Sequence, residues 1–230
     1  MLKVRIIPVL TFNGFGLVKT KEFKNPRMVG NPLQAARVYN SRGVDELIFL
    51  DIFASAQKRN INLKIVKDVL KECFMPVGIG GGIKTIEDIN DLLKIGADKV
   101  VIKTSALENS DFIREAADFF GSQCITVAAD IHQDDEGNYM VYSSSNNAVS
   151  MQDFLARATS LGAGEIVLTS VNKEGLMQGF DIDLVQKAEK LVQLPIIVVG
   201  GAGNLEHFKK LFEQTNCQAV GASSIFHFTQ

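Results

Sequence analysis

Short runs of β-branched and other apolar residues recur eight times along the chain, each separated from the next by a longer segment of helical periodicity. The runs are Val4–Leu10, Glu46–Asp51, Pro76–Ile79, Lys99–Lys103, Cys124–Asp130, Glu165–Thr169, Pro195–Val199 and Gln218–Ala222. Between them, Pro32–Arg42, Leu63–Cys73, Ile86–Lys94, Phe112–Phe120, Met151–Leu161, Asp183–Leu191 and Glu206–Glu213 carry apolar residues at i, i+3, i+4 spacing. Strictly alternating strand and helix requires a parallel sheet. Eight such units, with strands apolar on both faces, fit closure into a (β/α)8 barrel better than an open doubly wound sheet. A length of 230 residues with 46% hydrophobic content suits one such barrel in a single domain, residues 1–230.

The two halves of the chain repeat one another. Gly43-Val-Asp-Glu46 and Gly162-Ala-Gly-Glu165 precede the second and sixth strands at an offset of 119 residues. Gly80-Gly-Gly82 matches Gly200-Gly-Ala-Gly203 at about the same offset. The barrel therefore reads as a doubled half-barrel. Its longest polar stretches, Thr20–Asn31 and His132–Asn147, are expected as loops over the C-terminal face, where barrels of this kind carry their sites.

Charge excludes several function classes. With 24 basic and 26 acidic residues the net charge is −2 and no basic run tracks a phosphate backbone, so nucleic acid is not an expected partner. Cys73, Cys124 and Cys217 have neither CxxC nor Cys/His spacing, and the three histidines share no metal-like spacing, so the expectation is reduced core thiols without a metal or other cofactor. No apolar stretch approaches about 18 residues and Arg5 interrupts the first one, which leads us to expect a soluble, cytoplasmic protein with no membrane partner.

Candidate site residues gather at strand ends. Each glycine run leads from a strand into a helix, where closely approachable N–H groups suit a phosphate; Gly81, Gly82, Gly201 and Gly203 are the candidates. Lys103 and Thr104 after the fourth strand, and Ser223 and Ser224 after the eighth, add donors to neighbouring loops. Two repeat-related phosphate sites follow, against the alternative that the glycines only make tight turns. Asp51 and Asp130 close strands two and five, where a carboxylate serves as general acid or base, although Asp51 also suits a loop cap. Lys19 is a further catalytic candidate, equally readable as a solvated surface lysine, and Thr169 and Glu174 are further substrate contacts. By the repeat offset, the partner position of Asp130 is Thr11, whose hydroxyl cannot carry a carboxylate's proton load near neutral pH. At the opposite end, Arg5, Glu46, Lys99 and Glu165 begin four strands and could pair into a ring, either to seal the core or to gate the interior.

With these residues in view, the chain resembles the HisF family, the cyclase subunit of imidazole glycerol phosphate synthase, over essentially its whole length. The resemblance rests on Arg5-Ile-Ile-Pro8, Asp45–Asp51, Gly80–Gly82, Gly96–Lys99, Gly121-Ser-Gln123, Gly162–Ile166, Gly200–Gly203 and Ile225–Phe228. It implies a glutaminase partner docked at the N-terminal face, with Asp98 at that interface, which sends ammonia through a gate of Arg5, Glu46, Lys99 and Glu165. It also implies a doubly phosphorylated ribulosyl intermediate held by the two glycine loops.

The departures fall on the chemistry. Thr11 stands where the family's first catalytic aspartate is expected, while Asp130 matches the second. Lys103 replaces an asparagine, Asn172-Lys-Glu-Gly175 replaces Asp-Arg-Asp-Gly, and the sequence stops at Gln230, so the family's long last helix is expected to be truncated or absent. Leu17–Thr20 with Phe23–Gly30 looks like an offshoot found in surface-polysaccharide gene clusters, which implies a third, amidotransferase-like partner and the installation of acetamidino groups on sugars. The ordinary cyclase of histidine biosynthesis and a non-catalytic scaffold that activates a glutaminase are the alternatives.

Overall fold

The computed structural model describes residues 4–143 and 148–228; the end of the expected His132–Asn147 loop and the last residues lie outside the described residues. The chain runs through β1 (Arg5–Phe12), a hairpin of β2 (Leu17–Lys21) and β3 (Lys24–Gly30), α1 (Pro32–Ser41), β4 (Leu47–Asp51), α2 (Leu63–Leu70) and β5 (Val77–Gly80). It continues with α3 (Ile86–Lys94), β6 (Lys99–Ile102), α4 (Thr104–Glu108), α5 (Asp111–Phe120), β7 (Ile125–Gln133), β8 (Tyr139–Val141) and α6 (Met151–Ser160). The last third is β9 (Glu165–Ser170), α7 (Ile182–Leu191), β10 (Ile196–Val199), α8 (Leu205–Gln214), β11 (Ala219–Ala222) and the short α9 (Ser224–Phe228).

Strands β1, β4, β5, β6, β7, β9, β10 and β11 pair in parallel in that order, and β11 pairs back onto β1 through Arg5↔Ala219 to Pro8↔Ala222, closing an eight-stranded (β/α)8 barrel. The eight expected strands are all present. Three further strands are a correction: the polar stretches after β1 and β7 are not simple loops but contribute the antiparallel β2–β3 hairpin and β8. β3 is exposed along most of its length and β8 is only three residues long, so neither carries an apolar alternation strong enough to mark it in the sequence.

The strands separate two cores by their period of two. Leu10 and Phe12 on β1, Leu47 and Phe49 on β4, Val100 and Ile102 on β6, and Val127 and Ala129 on β7 pack outward against the helices. Ile7, Val9, Ile48, Val101, Ala128, Val167, Ile197 and Ala219 form a separate inner cluster, joined by Leu50 and Val199. Each fully buried aliphatic side chain contributes about 1.5–3 kcal/mol. The inner cluster is packed: a Cβ on Gly221 would lie 2.6 Å from Val199 and 2.9 Å from Val9. Several helix starts are set by side-chain caps, such as Asn31 before Pro32 and the reciprocal Thr85–Asp88 box on α3, which fix where those helices begin above their strands.

Candidate functional site

The inward register that places Ile7, Ile48, Val101 and Val167 in the inner core also fixes what lies below and above them. Two residues earlier stand Arg5, Glu46, Lys99 and Glu165. At the other end of the same register stand Thr11, Lys103, Asp130 and Thr169.

The lower four form a closed ring of alternating charge. Arg5 donates to Glu46 at 2.7 Å and to Glu165 at 2.5 Å, and Lys99 donates to Glu165 at 2.7 Å. Lys99 also pairs with Oε1 of Glu46 at 2.8 Å. Burial works against the charged form of Lys99, and Glu165 and Glu46 outweigh it, so the ammonium is held above its ordinary pKa; the Arg5 guanidinium is shifted in the same direction by the same balance. Asp98, the expected interface residue, is exposed nearby, and its carboxylate accepts the Val77 N–H at 2.8 Å, capping the start of β5.

At the upper mouth the structure redistributes the expected residues. Lys103 donates to Asp130 at 2.6 Å, with the Phe23 and Tyr142 rings 5.9 and 5.5 Å from its ammonium. Phe23 and His132 both pack edge-on against Tyr142. The Thr11 hydroxyl donates to the carbonyl of Val18, pinning the hairpin to the mouth. Glu174 holds the hairpin from the other side: its carboxylate accepts from the Thr20 hydroxyl at 3.0 Å and the Phe23 N–H at 3.1 Å, and its carbonyl accepts from Glu22 at 3.0 Å. The clamped turn is Glu22-Phe23, both at positive φ (51° and 61°), a conformation that costs energy without glycine and is supported here by those bonds.

The hairpin overturns one reading of Lys19. It is not a solvated surface lysine but lies on β2 with 5% of its surface exposed. Burial pushes its pKa down to about 8, against the opposing pull of Glu174. Asp51 has the opposite register to Asp130 and does not join it. Its carboxylate is spent on Arg59, at 2.6 and 3.0 Å, and on the N–H groups of Phe53 and Ala54, which is the loop-capping role. Thr169 is buried on the inward register of β9.

The glycine loops are both required by close backbone approach. A Cβ on Gly81 would sit 2.4 Å from the Asp51 carbonyl, one on Gly82 2.5 Å from that of Arg59, one on Gly201 2.0 Å from that of Gly179, and one on Gly203 2.2 Å from that of Met177. Gly203's own N–H donates to His207 at 3.1 Å, so it is not free for an anion in this conformation. Ser223 donates to the Val9 carbonyl, Thr104 opens α4, and Ser224 is buried at the start of α9. The aromatic group of Phe23, His132 and Tyr142, together with Arg59 and His207, escaped sequence reasoning. No local pattern marks them, because the β2–β3 pairing and the loop after β4 bring them into place.

Cys73 and Cys217 are free thiols pushed up to about 11 by burial, and no His/Cys/Asp/Glu cluster among the described residues suits a metal. No helix among them is long and apolar enough to cross a membrane.

The fold and its two ends define a class: a closed α/β barrel with a buried ion-pair ring at the N-terminal end and a polar, hairpin-covered mouth at the other. A family model described as histidine biosynthesis protein matches residues 5–230. The chain is 43% identical over 231 residues to the imidazole glycerol phosphate synthase subunit HisF of Streptococcus mutans, covering 99% of this chain and 92% of that protein. It is 43% identical over 231 residues to the HisF subunit of Staphylococcus saprophyticus, with the same coverage, and 42% identical over 233 residues to that of Streptococcus sanguinis, covering 100% of this chain and 92% of that protein. The chain belongs to the HisF family.

Proposed function

We propose that the chain is the synthase subunit of a glutamine-dependent complex, taking ammonia from a glutaminase docked over the ion-pair ring and delivering it to a phosphorylated acceptor at the opposite mouth. The observation that carries the reading is the intact ring of Arg5, Glu46, Lys99 and Glu165, a buried, fully paired set of charges at the entrance to an apolar interior. Such an interior admits neutral ammonia and rejects ammonium, whose desolvation is far costlier. The relatives named as synthase subunits support the partnership.

The acceptor in this reading is a sugar that receives an acetamidino group, with a third amidotransferase-like protein taking part, rather than the ribulosyl intermediate of histidine synthesis. Gly81 and Gly82 with Lys103 and Thr104, and Gly201 with Ser223 and Ser224, are the proposed phosphate contacts. Asp130 is the one carboxylate on the inward register at that mouth among the described residues, and Lys103 is bound to it. Asp130 accepts the proton that ammonia sheds on attacking the acceptor, and Lys103 stabilises negative charge beside it. Lys19 supplies a buried cation above the site. Thr11 is engaged with Val18 and leaves no second carboxylate for the paired proton transfers of ring closure. The test mixes the chain with its glutaminase and the ribulosyl bisphosphate substrate: little or no imidazole glycerol phosphate is expected, and robust formation refutes the sugar assignment.

The high identity to HisF subunits favours a second reading, the ordinary cyclase with Asp130 and Lys19 sharing the proton transfers. Thr11→Asp then changes the rate of imidazole formation only modestly, and a large gain counts against it.

A further inference from the structure

Buried hydroxyls almost always find a partner, and an unpaired one costs about 1–3 kcal/mol. Thr126 is 1% exposed, and its hydroxyl has no hydrogen-bond partner. Its neighbours Ile125 and Val127 face the outer core and Ala128 the inner one, so Thr126 faces the barrel interior. Strand register sets it beside Glu165 on β9 and Val101 on β6, immediately inside the charged ring.

Inward residues of alternate barrel strands share a layer. Glu46, Lys99, Glu165 and Ala219 therefore make the lowest layer, and Ile7, Gly78, Thr126 and Ile197 the next. That second layer carries two full apolar side chains, one short polar one and no side chain at Gly78, where a Cβ would come 3.2 Å from the stem of Lys99. A hydroxyl that can donate or accept thus stands just inside the charged ring, in a layer whose other side chains are apolar.

We propose that the Thr126 hydroxyl forms an internal station that holds one water-sized, neutral hydrogen-bonding molecule, ammonia or water, just above the ion-pair ring. The ammonia assignment rests on the nitrogen-transfer reading; the station itself does not. A molecule there satisfies the orphaned hydroxyl and gives ammonia a polar resting place before it meets the apolar side chains above.

The test compares crystals of the full chain with those of Thr126→Val, which removes the hydroxyl at nearly constant shape, and of Thr126→Ser, which keeps it. The wild type and Thr126→Ser are expected to show one water-sized peak within hydrogen-bond distance of residue 126. Thr126→Val loses that peak while the ring distances stay as they are. A Thr126 hydroxyl that donates to a neighbouring carbonyl with no peak beside it overturns the station, as does a peak that survives in Thr126→Val. Neutron diffraction from crystals held in deuterated ammonium buffer near pH 9.5 distinguishes the occupants: three deuterons on the bound atom are expected, and two would make it water and overturn the ammonia assignment. None of these readouts uses turnover, so their failure is distinguishable from a failure of nitrogen transfer.

Discussion

Replacing Glu165 with glutamine keeps the shape of the ring and removes one of its two negative charges. Glu165 is 7% exposed and accepts from both cations, at 2.5 Å from Arg5 and 2.7 Å from Lys99. Glu165→Gln leaves Arg5 and Lys99 to share Glu46, a net charge of +1 in a largely buried layer. Breaking a buried pair by removing one partner costs about 3–5 kcal/mol. The Arg5 side chain is 32% exposed, so water relieves part of that loss and the expected cost is about 2–4 kcal/mol. For a chain of this length that corresponds to a fall in Tm of roughly 5–12 °C, read by calorimetry or circular dichroism. The double variant Arg5→Gln/Glu165→Gln restores neutrality, with Lys99 and Glu46 still paired, and should lose clearly less than the sum of the two single variants. A fall under about 1 °C, or additivity within about 0.5 kcal/mol, refutes the reasoning.

Lys19 predicts a pH dependence. Its folded pKa of about 8 lies below its unfolded value of 10.5, so the folded state binds fewer protons between those limits and stability rises with pH across that window. Lys19→Met should be more stable than the wild type at pH 7 by roughly 3 kcal/mol, with the advantage gone near pH 10.5; a difference independent of pH in denaturant titrations contradicts this. Gly201→Ala puts a Cβ at a φ of +104° and 2.0 Å from the Gly179 carbonyl, and should cost at least about 3 kcal/mol in urea unfolding; a change under about 1 kcal/mol rules out the packing described. Asp51→Ala removes both bonds to Arg59 and two loop caps, so amide exchange over residues 52–60 should accelerate more than tenfold, whereas unchanged protection shows that the loop holds without it.

The barrel was legible in the sequence because its strands are apolar on both faces and its helices strictly periodic, signals that survive without tertiary context. The ring was legible for a related reason: charged residues at the inward starts of four of the eight strands, Arg5, Glu46, Lys99 and Glu165, have only one another to meet. What the sequence could not place depended on the hairpin. No local pattern marks the places of Lys19, Thr11 and Glu174: the antiparallel return of β2 beside β1 brings Val18 to Thr11, and the β2–β3 turn supplies the groups that Glu174 clamps. Asp51 shows the limit of arguing from a strand end alone, since one residue of register separates a side chain in the mouth from one that caps a loop. Thr126 drew no notice because a lone threonine in a strand is unremarkable until its partners are counted.

The proposed function seats a phosphorylated acceptor at the mouth opposite the ring, with both glycine loops as its phosphate contacts. A crystal of the chain grown in inorganic phosphate tests this most directly: two bound anions are predicted, one at Gly81 and Gly82 beside Lys103 and Thr104, the other at Gly201 beside Ser223 and Ser224. Both glycine loops empty, with phosphate confined to surface lysines, would contradict it.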